Sequence, residues 1–207
     1  MDQLSNPFEA EPEDTQEAIL QATYDILTES GYGSTSIGQI ADHVGVSKSV
    51  VYHYYDNKEA LLLAVLEGLL EQMLEEVFRK DSTDPRSKLE HFLTLFIPAE
   101  CAQDDPEARS LARLGKTYVE LRTQAISNPT YQEQFEVSEQ QIKAELSDTI
   151  QTGIEQDVLR PVDPERASEH ILTFVAGVLF RQATTESVST EVLQREVQTL
   201  LDDRIFN

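Results

Sequence analysis

Basic residues are scarce in this chain, and so are cysteine and long apolar runs. Its 207 residues include 16 Lys plus Arg against 38 Asp plus Glu, a formal net charge of −22. Such an acid excess argues against broad contact with a polyanion or an anionic membrane, because like charges repel across any extended phosphate interface. Contact with nucleic acid must be local. Cys101 is the single cysteine, which excludes an intrachain disulfide and a cysteine-rich zinc site and fits a reducing compartment. The longest near-continuous apolar run, Ile171 to Phe180, spans ten residues and carries Thr173 and Gly177. A bilayer crossing takes roughly 18 to 20. Residues Met1 to Asp14 show no basic region followed by an apolar stretch, so no secretory signal is expected and a cytoplasmic protein is.

What charge there is falls unevenly. Residues 1–33 hold eight acids and no Lys or Arg, whereas residues 34–58 balance Asp42 and Asp56 with Lys48 and Lys58. The remainder, 59–207, is again strongly acidic, at −14. A neutral window inside an acidic chain is what a DNA-reading surface needs if the rest is acidic for another reason.

Periodicity gives helices almost throughout and no convincing strand, so the fold class is all-α. Residues 1–14, with Pro7, Pro12 and several acids, read as a flexible acidic tail. From Thr15 to Ser30, Ile19, Ala22, Ile26 and Leu27 recur at helical spacing, and Gly31 is placed to end the helix. Ser36 suits an N-cap, with Gln39 three residues on to reach back to its backbone N–H. Ile37, Ile40, Ala41 and Val44 make the apolar face of this second, short helix. Gly45 follows where a left-handed backbone is cheap, and Ser47 is placed to cap a third helix running through Tyr55.

Two short helices meeting across a glycine turn form a helix-turn-helix. Ala41 is small where the helices cross, and Ile37, Ile40, Val44, Val46, Val50 and Val51 are apolar where the pair packs on the first helix. Ser47, Lys48, Ser49, Tyr52 and His53 are then left at the N-terminal end and outer face of the third helix. Lysine supplies a phosphate or guanine contact, serine bonds phosphate or a base edge, and tyrosine carries a hydroxyl on a rigid arm.

The stretch from Thr35 to Leu61, including Ile40-Ala41, Gly45-Val46-Ser47, Tyr52-His53-Tyr54-Tyr55 and Lys58-Glu59, resembles the N-terminal signature of the TetR family of transcriptional regulators. Ser49 stands where that family often has glycine, and Tyr55 where phenylalanine usually packs. With the first helix the resemblance covers some 45 residues, and the rest agrees only in helical layout. It implies a DNA-binding domain over 15–58 and a ligand-binding and dimerisation domain over 59–207. It also implies phosphate contacts from Thr35, Ser36, Ser47, Tyr54 and Lys58, and base contacts from Lys48, Ser49, Tyr52 and His53. His43 lies away from the groove.

A helix from Asn57 to Phe78 follows, apolar on more than one side through Leu61, Leu62, Val65, Leu66, Leu69, Leu70, Met73 and Val77. Further helices open at Pro85 (ending by Pro98), Pro106 (with Leu111), Pro129 and Pro164, and the last begins near Thr190. In the family such a bundle holds a small molecule, which makes Phe92, Phe96, Leu114, Tyr118, Phe135 and Phe174 candidates for a pocket wall. Filling the core is the plainer role for any one of them. The two final helices are apolar enough for a monomer's core or for half of a four-helix dimer interface, and the resemblance implies the dimer. Its candidates are Ile171, Phe174, Val175, Val178, Leu179, Leu193, Val197 and Leu200.

An enzyme fits poorly. Gly45-Val46-Ser47-Lys48-Ser49 lacks the closing glycine of a nucleophile elbow and joins helix to helix. No H-E-x-x-H, P-loop or G-x-G-x-x-G is present, and histidines 43, 53, 91 and 170 are scattered, so neither cofactor nor metal is expected. An acidic protein-interaction module or DNA mimic explains the charge but not the helix-turn-helix residues, and an activator working without a ligand also stays open. The composition, with only six lysines, resembles that of proteins from salt-in halophiles. In molar salt the Debye length is about 3 Å, so the acidic body ceases to repel DNA. The resulting expectation is a cytoplasmic homodimer that regulates transcription at a palindromic duplex, as a repressor released by a small molecule.

Overall fold

The computed structural model describes residues 12–75, 78, 84–96, 106–185 and 189–206. Among them the chain forms α1 (Thr15–Ser30), α2 (Ile37–Val44), α3 (Lys48–Tyr54), α4 (Lys58–Leu74), α5 (Pro85–Phe96), α6 (Pro106–Gln124), α7 (Pro129–Glu155), α8 (Pro164–Thr184) and α9 (Thr190–Arg204). The only pairing of extended backbone among the described residues is an isolated bridge between Leu159 and Phe206. Tail residues 1–11, Val77, Pro98 and Cys101 lie outside the described residues, as do the side chains of Met73, Leu111 and Leu200.

The chain divides into two compact units. The first is Met1–Met73 with Thr117–Gln134, and the second is Leu74–Lys116 with Phe135–Asn207.

In the first unit, α1 starts because the Asp14 carboxylate accepts the backbone N–H of Gln16 at 2.8 Å and of Glu17 at 2.9 Å. It stops at Gly31, whose φ of +78° suits glycine and whose N–H closes on the Leu27 carbonyl at 2.9 Å. Between these ends Ile19, Ala22 and Ile26 face a cluster with Ile37, Ile40, Ala41, Val51, Tyr55 and Leu61. Residues from α1, α2, α3 and α4, with Tyr55 between the last two, thus close a small core. Ser36 caps α2 through the Gln39 N–H at 3.3 Å. Gln39 does not reach the Ser36 backbone as expected: its side-chain oxygen accepts from the Ser36 hydroxyl at 2.8 Å, which closes the same corner through side chains.

In the second unit, α5 buries Leu89, Phe92, Leu93 and Leu95, and the Phe92 ring lies 5.7 Å from that of Phe78 and 5.2 Å from that of Phe96. Ile142, Leu146 and Ile150 of α7, Ile171, Val175 and Val178 of α8, and Leu193, Val197 and Leu201 of α9 are also buried. The Asp163 carboxylate caps α8 by accepting from Glu165 and Arg166. After α9 the backbone returns: Arg160 donates its N–H to the Ile205 carbonyl at 2.9 Å, and the Arg86 guanidinium stacks 4.2 Å from the Phe206 ring centroid. Gly153 is where Leu159 comes closest, leaving no room for a side chain.

Candidate nucleic-acid interface

The helix-turn-helix is set by backbone geometry before any polar group is placed. Gly45 takes the left-handed conformation (φ +79°, ψ 30°), and the Ala41 carbonyl accepts both its N–H at 3.0 Å and that of Val46 at 2.9 Å. The chain therefore reverses within a few residues and α3 crosses α2. Val51 is fully buried in the core cluster, and Val44 and Val46 pack against it. Ser47 occupies the N-cap position of α3 without capping it. Its hydroxyl bonds instead to that of Ser49 at 2.7 Å, which holds both serines on the exposed side.

With Val51 inward, Ser47, Lys48, Ser49, Tyr52, His53 and Tyr54 are all exposed on one short helix and its N-cap. Tyr52 is 52% and Tyr54 40% exposed, high values for tyrosine, and the His53 and Tyr54 rings meet edge to face at 5.2 Å. Ser36 is exposed at the start of α2. Thr35 is placed differently. It is 2% exposed, and its hydroxyl donates to the Gly31 carbonyl at 2.9 Å, bracing the turn from inside. Lys58 is half-buried, and its Nζ donates to the Tyr32 carbonyl at 2.7 Å. Burial lowers the pKa of that ammonium from its ordinary value, partly offset by Glu59. His43 is exposed, and its charge interaction with Asp25 on α1 partly counters the rise that burial imposes on the Asp25 carboxyl.

Tyr55, at the C-terminus of α3, is buried and accepts from the Gln16 side chain at 3.4 Å, fulfilling the packing role expected of that position. Sequence reasoning missed Tyr32 and Gly38. Tyr32 is clasped between Lys58 and Glu120, and Gly38 provides the floor beneath Lys48. Neither had a local signal, since each role depends on a side chain from another element.

In the second unit, Phe92 and Phe135 are buried and Phe96, Leu114 and Phe174 partly so; Tyr118, in the first unit, is also partly buried. An open depression of about 400 Å³ is lined by Lys143, Glu165, Arg166, Glu169, His170 and Thr173, and by none of those expected wall residues. Of the residues expected at a dimer interface, Ile171, Val175, Val178, Leu179, Leu193 and Val197 are buried within the single chain, and Phe174 is partly so. In the C-terminal half of α8, Thr173, Gly177, Phe180, Arg181 and Thr184 are exposed, Phe180 by 55%, and α9 exposes Val192. Among the described residues no helix is long and apolar enough to cross a membrane, and no three His, Cys, Asp or Glu side chains gather as metal ligands.

Residues 19–65 match the family model described as bacterial regulatory proteins, tetR family, and residues 85–205 match that of the BetI-type transcriptional repressor, C-terminal. The HTH-type transcriptional regulator RutR of Escherichia coli (strain K12) is 35% identical over 98 residues, 46% of this chain and 45% of RutR. The chain thus aligns with under half the length of that relative. Solved structures similar to it over nearly its full length include two regulators. A TetR transcription regulator from Haloarcula marismortui has 29% identity and a TM-score of 0.78, covering 92% of this chain and 97% of that one. A transcriptional regulator from Saccharomonospora viridis, solved in complex with choline, has 16% identity and a TM-score of 0.80, covering 95% and 100%.

Proposed function

The chain belongs to the TetR family of transcriptional regulators, DNA-binding proteins and not enzymes, and from this premise we propose that it is a homodimeric repressor released by a small molecule. The observation that carries the reading is the outer face of α3. Ser47, Lys48, Ser49, Tyr52 and His53 stand exposed together on a segment of zero net charge, while the other side of the helix is locked into the core. In this proposal Lys48, Ser49, Tyr52 and His53 meet bases, and Ser36, Ser47, Tyr54 and Lys58 meet phosphates. Thr35 is left out of the set because it is buried, with its hydroxyl turned inward to the Gly31 carbonyl.

A symmetric dimer presents two α3 helices to two half-sites of a palindrome, one or more helical turns apart. The stripe through Gly177 and Phe180 supports such pairing, since Phe180 is the large apolar side chain that α8 leaves exposed. A ligand that favours one spacing of the two α3 helices shifts the population away from the DNA-competent one, and the coupling is reciprocal. Choline, the molecule bound in the Saccharomonospora viridis regulator, is the first compound to titrate. The acidic surface supports a protein working in the cytoplasm at high salt.

Genomic fragments selected by the purified protein in molar KCl test this directly. Recovery of a palindrome bound far more tightly than its scramble supports the reading, and its affinity is expected to fall less steeply with salt than that of a basic repressor. No preference at any salt concentration discards it.

A further inference from the structure

The turn joining α1 to α2 carries contacts that base reading does not use. Tyr32 donates its backbone N–H to Oε2 of Glu120 at 2.7 Å and accepts at its carbonyl from Lys58 Nζ at 2.7 Å. The same ammonium stands 4.5 Å from the centroid of the Tyr32 ring. The two peptide groups flanking one Cα are thus held by charges of opposite sign, the N–H by a carboxylate and the carbonyl by an ammonium. Charge-assisted bonds of this length are roughly twice as strong as neutral ones.

The neighbouring residue is shaped to admit the carboxylate. A Cβ on Gly31 would stand 3.1 Å from Glu120 Oε2 and 3.4 Å from Oε1, so a side chain there would press on the carboxylate and also strain the backbone at φ +78°. The Gly31 carbonyl in turn accepts from the N–H and hydroxyl of Thr35, and Ser36 follows at once as the cap of α2. Hydrogen bonds therefore lead from Glu120 through the peptide group between Gly31 and Tyr32 to Thr35, the residue before the N-cap of α2. Glu120 lies 88 residues away in the sequence, on α6.

We propose that Glu120 is a positioning residue for DNA binding, which sets the start of α2, and with it the α3 surface, by fixing the Tyr32 N–H opposite Lys58. This rests on the DNA-binding reading above. Three variants separate its parts. Glu120→Ala removes the acceptor, Glu120→Asp withdraws it by one methylene while keeping the charge, and Glu120→Gln keeps an oxygen at full reach without the charge.

The readouts are hydrogen exchange of the Tyr32 amide in the free protein and affinity, in molar KCl, for the duplex that the wild-type protein selects. Loss of one charge-assisted bond is expected to speed exchange about tenfold and weaken duplex binding about tenfold in the Ala and Asp variants. The Gln variant is expected to stay within about threefold of wild type, since the bond survives. Rescue by Gln is not expected of a residue that merely supplies charge, and faster exchange of the Tyr32 amide in the Asp variant is not expected of one that merely fills space. Unchanged exchange in the Ala variant, or faster exchange with affinity within twofold, overturns the proposal. If the Ala variant does not fold, the Asp and Gln pair decides by the same criteria. A wild-type protein that selects no duplex removes the DNA-binding reading and this inference together, whereas a selective wild type with indifferent variants removes only the role of Glu120.

Discussion

Lys48 lies across Gly38, close enough that a Cβ on the glycine would stand 3.1 Å from Lys48 Cε and 3.2 Å from Nζ. The α3 lysine is thus laid over a gap in the surface of α2. Gly38→Ala brings two opposed effects. Alanine is the better helix former by up to about 1 kcal/mol. The new methyl, however, lifts the ammonium off its floor. Thermal unfolding is expected to move upward while affinity for the selected duplex falls severalfold. A variant that gains stability and keeps full affinity shows that the resting place of Lys48 is irrelevant to DNA.

Gly153 answers to a different constraint, since its backbone is ordinary and the obstacle is Leu159. Gly153→Ala forces overlap against that side chain, so a loss of about 1–3 kcal/mol is expected despite the gain in helix propensity. Denaturant unfolding measures it. Pairing the change with Leu159→Ala is expected to recover part of the loss, and strict additivity of the two costs contradicts the overlap.

Three tyrosines of the first unit tie its stability to alkaline pH. Burial raises the pKa of Tyr131 far above its ordinary 10.0, with Tyr32 and Glu59 adding to the rise. Tyr55 and Tyr32 are raised for the same leading reason. A raised folded pKa contributes stability that is complete below the unfolded value and lost as pH climbs through the folded one. Stability is therefore expected to decline from about pH 10 upward. The lowered pKa of Lys58 works in the opposite sense, relieving a burial penalty as its proton leaves. Tyr131→Phe removes the largest of these groups and is expected to flatten the decline. At neutral pH its cost is at most about 1 kcal/mol, because the hydroxyl gives only a long 3.4 Å bond to the Glu59 carbonyl. Urea midpoints from pH 8 to 11.5 decide the matter.

Phe180→Glu tests the proposed pairing. Phe180 is exposed, so the change leaves the single chain's core intact and acts on what meets α8 from outside. A monomer by sedimentation in molar KCl, with unchanged helical content and weakened duplex binding, is the expected result. A dimer of undiminished affinity moves the interface off this stripe.

Much of the first unit was legible in its residues. The start of α1 at Thr15 and its end at Gly31 follow from apolar spacing and one glycine, and Gly45 marks the turn between α2 and α3. Polar detail was less so. A serine before a helix reads as a cap, yet Ser47 pairs with Ser49, because two hydroxyls within a turn compete with the backbone for each other. The bond between Glu120 and Tyr32 was invisible, since nothing local distinguishes that acid from the chain's 37 others. In α8 the periodicity announced an apolar helix without revealing that Ile171, Val175 and Val178 turn inward while Gly177 and Phe180 turn out. That choice depends on the neighbours a helix finds, which its own sequence does not specify.

The interleaving of the two units along the chain governs how its parts can be exchanged. Cutting after Met73 yields a fragment that carries every helix-turn-helix residue yet lacks Glu120 and Tyr131, and so loses the acceptor for Tyr32 and the partner of Glu59. Grafting this reader onto a foreign sensor therefore means transplanting two separate pieces, the second being Thr117–Gln134, so recombination at a single crossover yields a head without its brace.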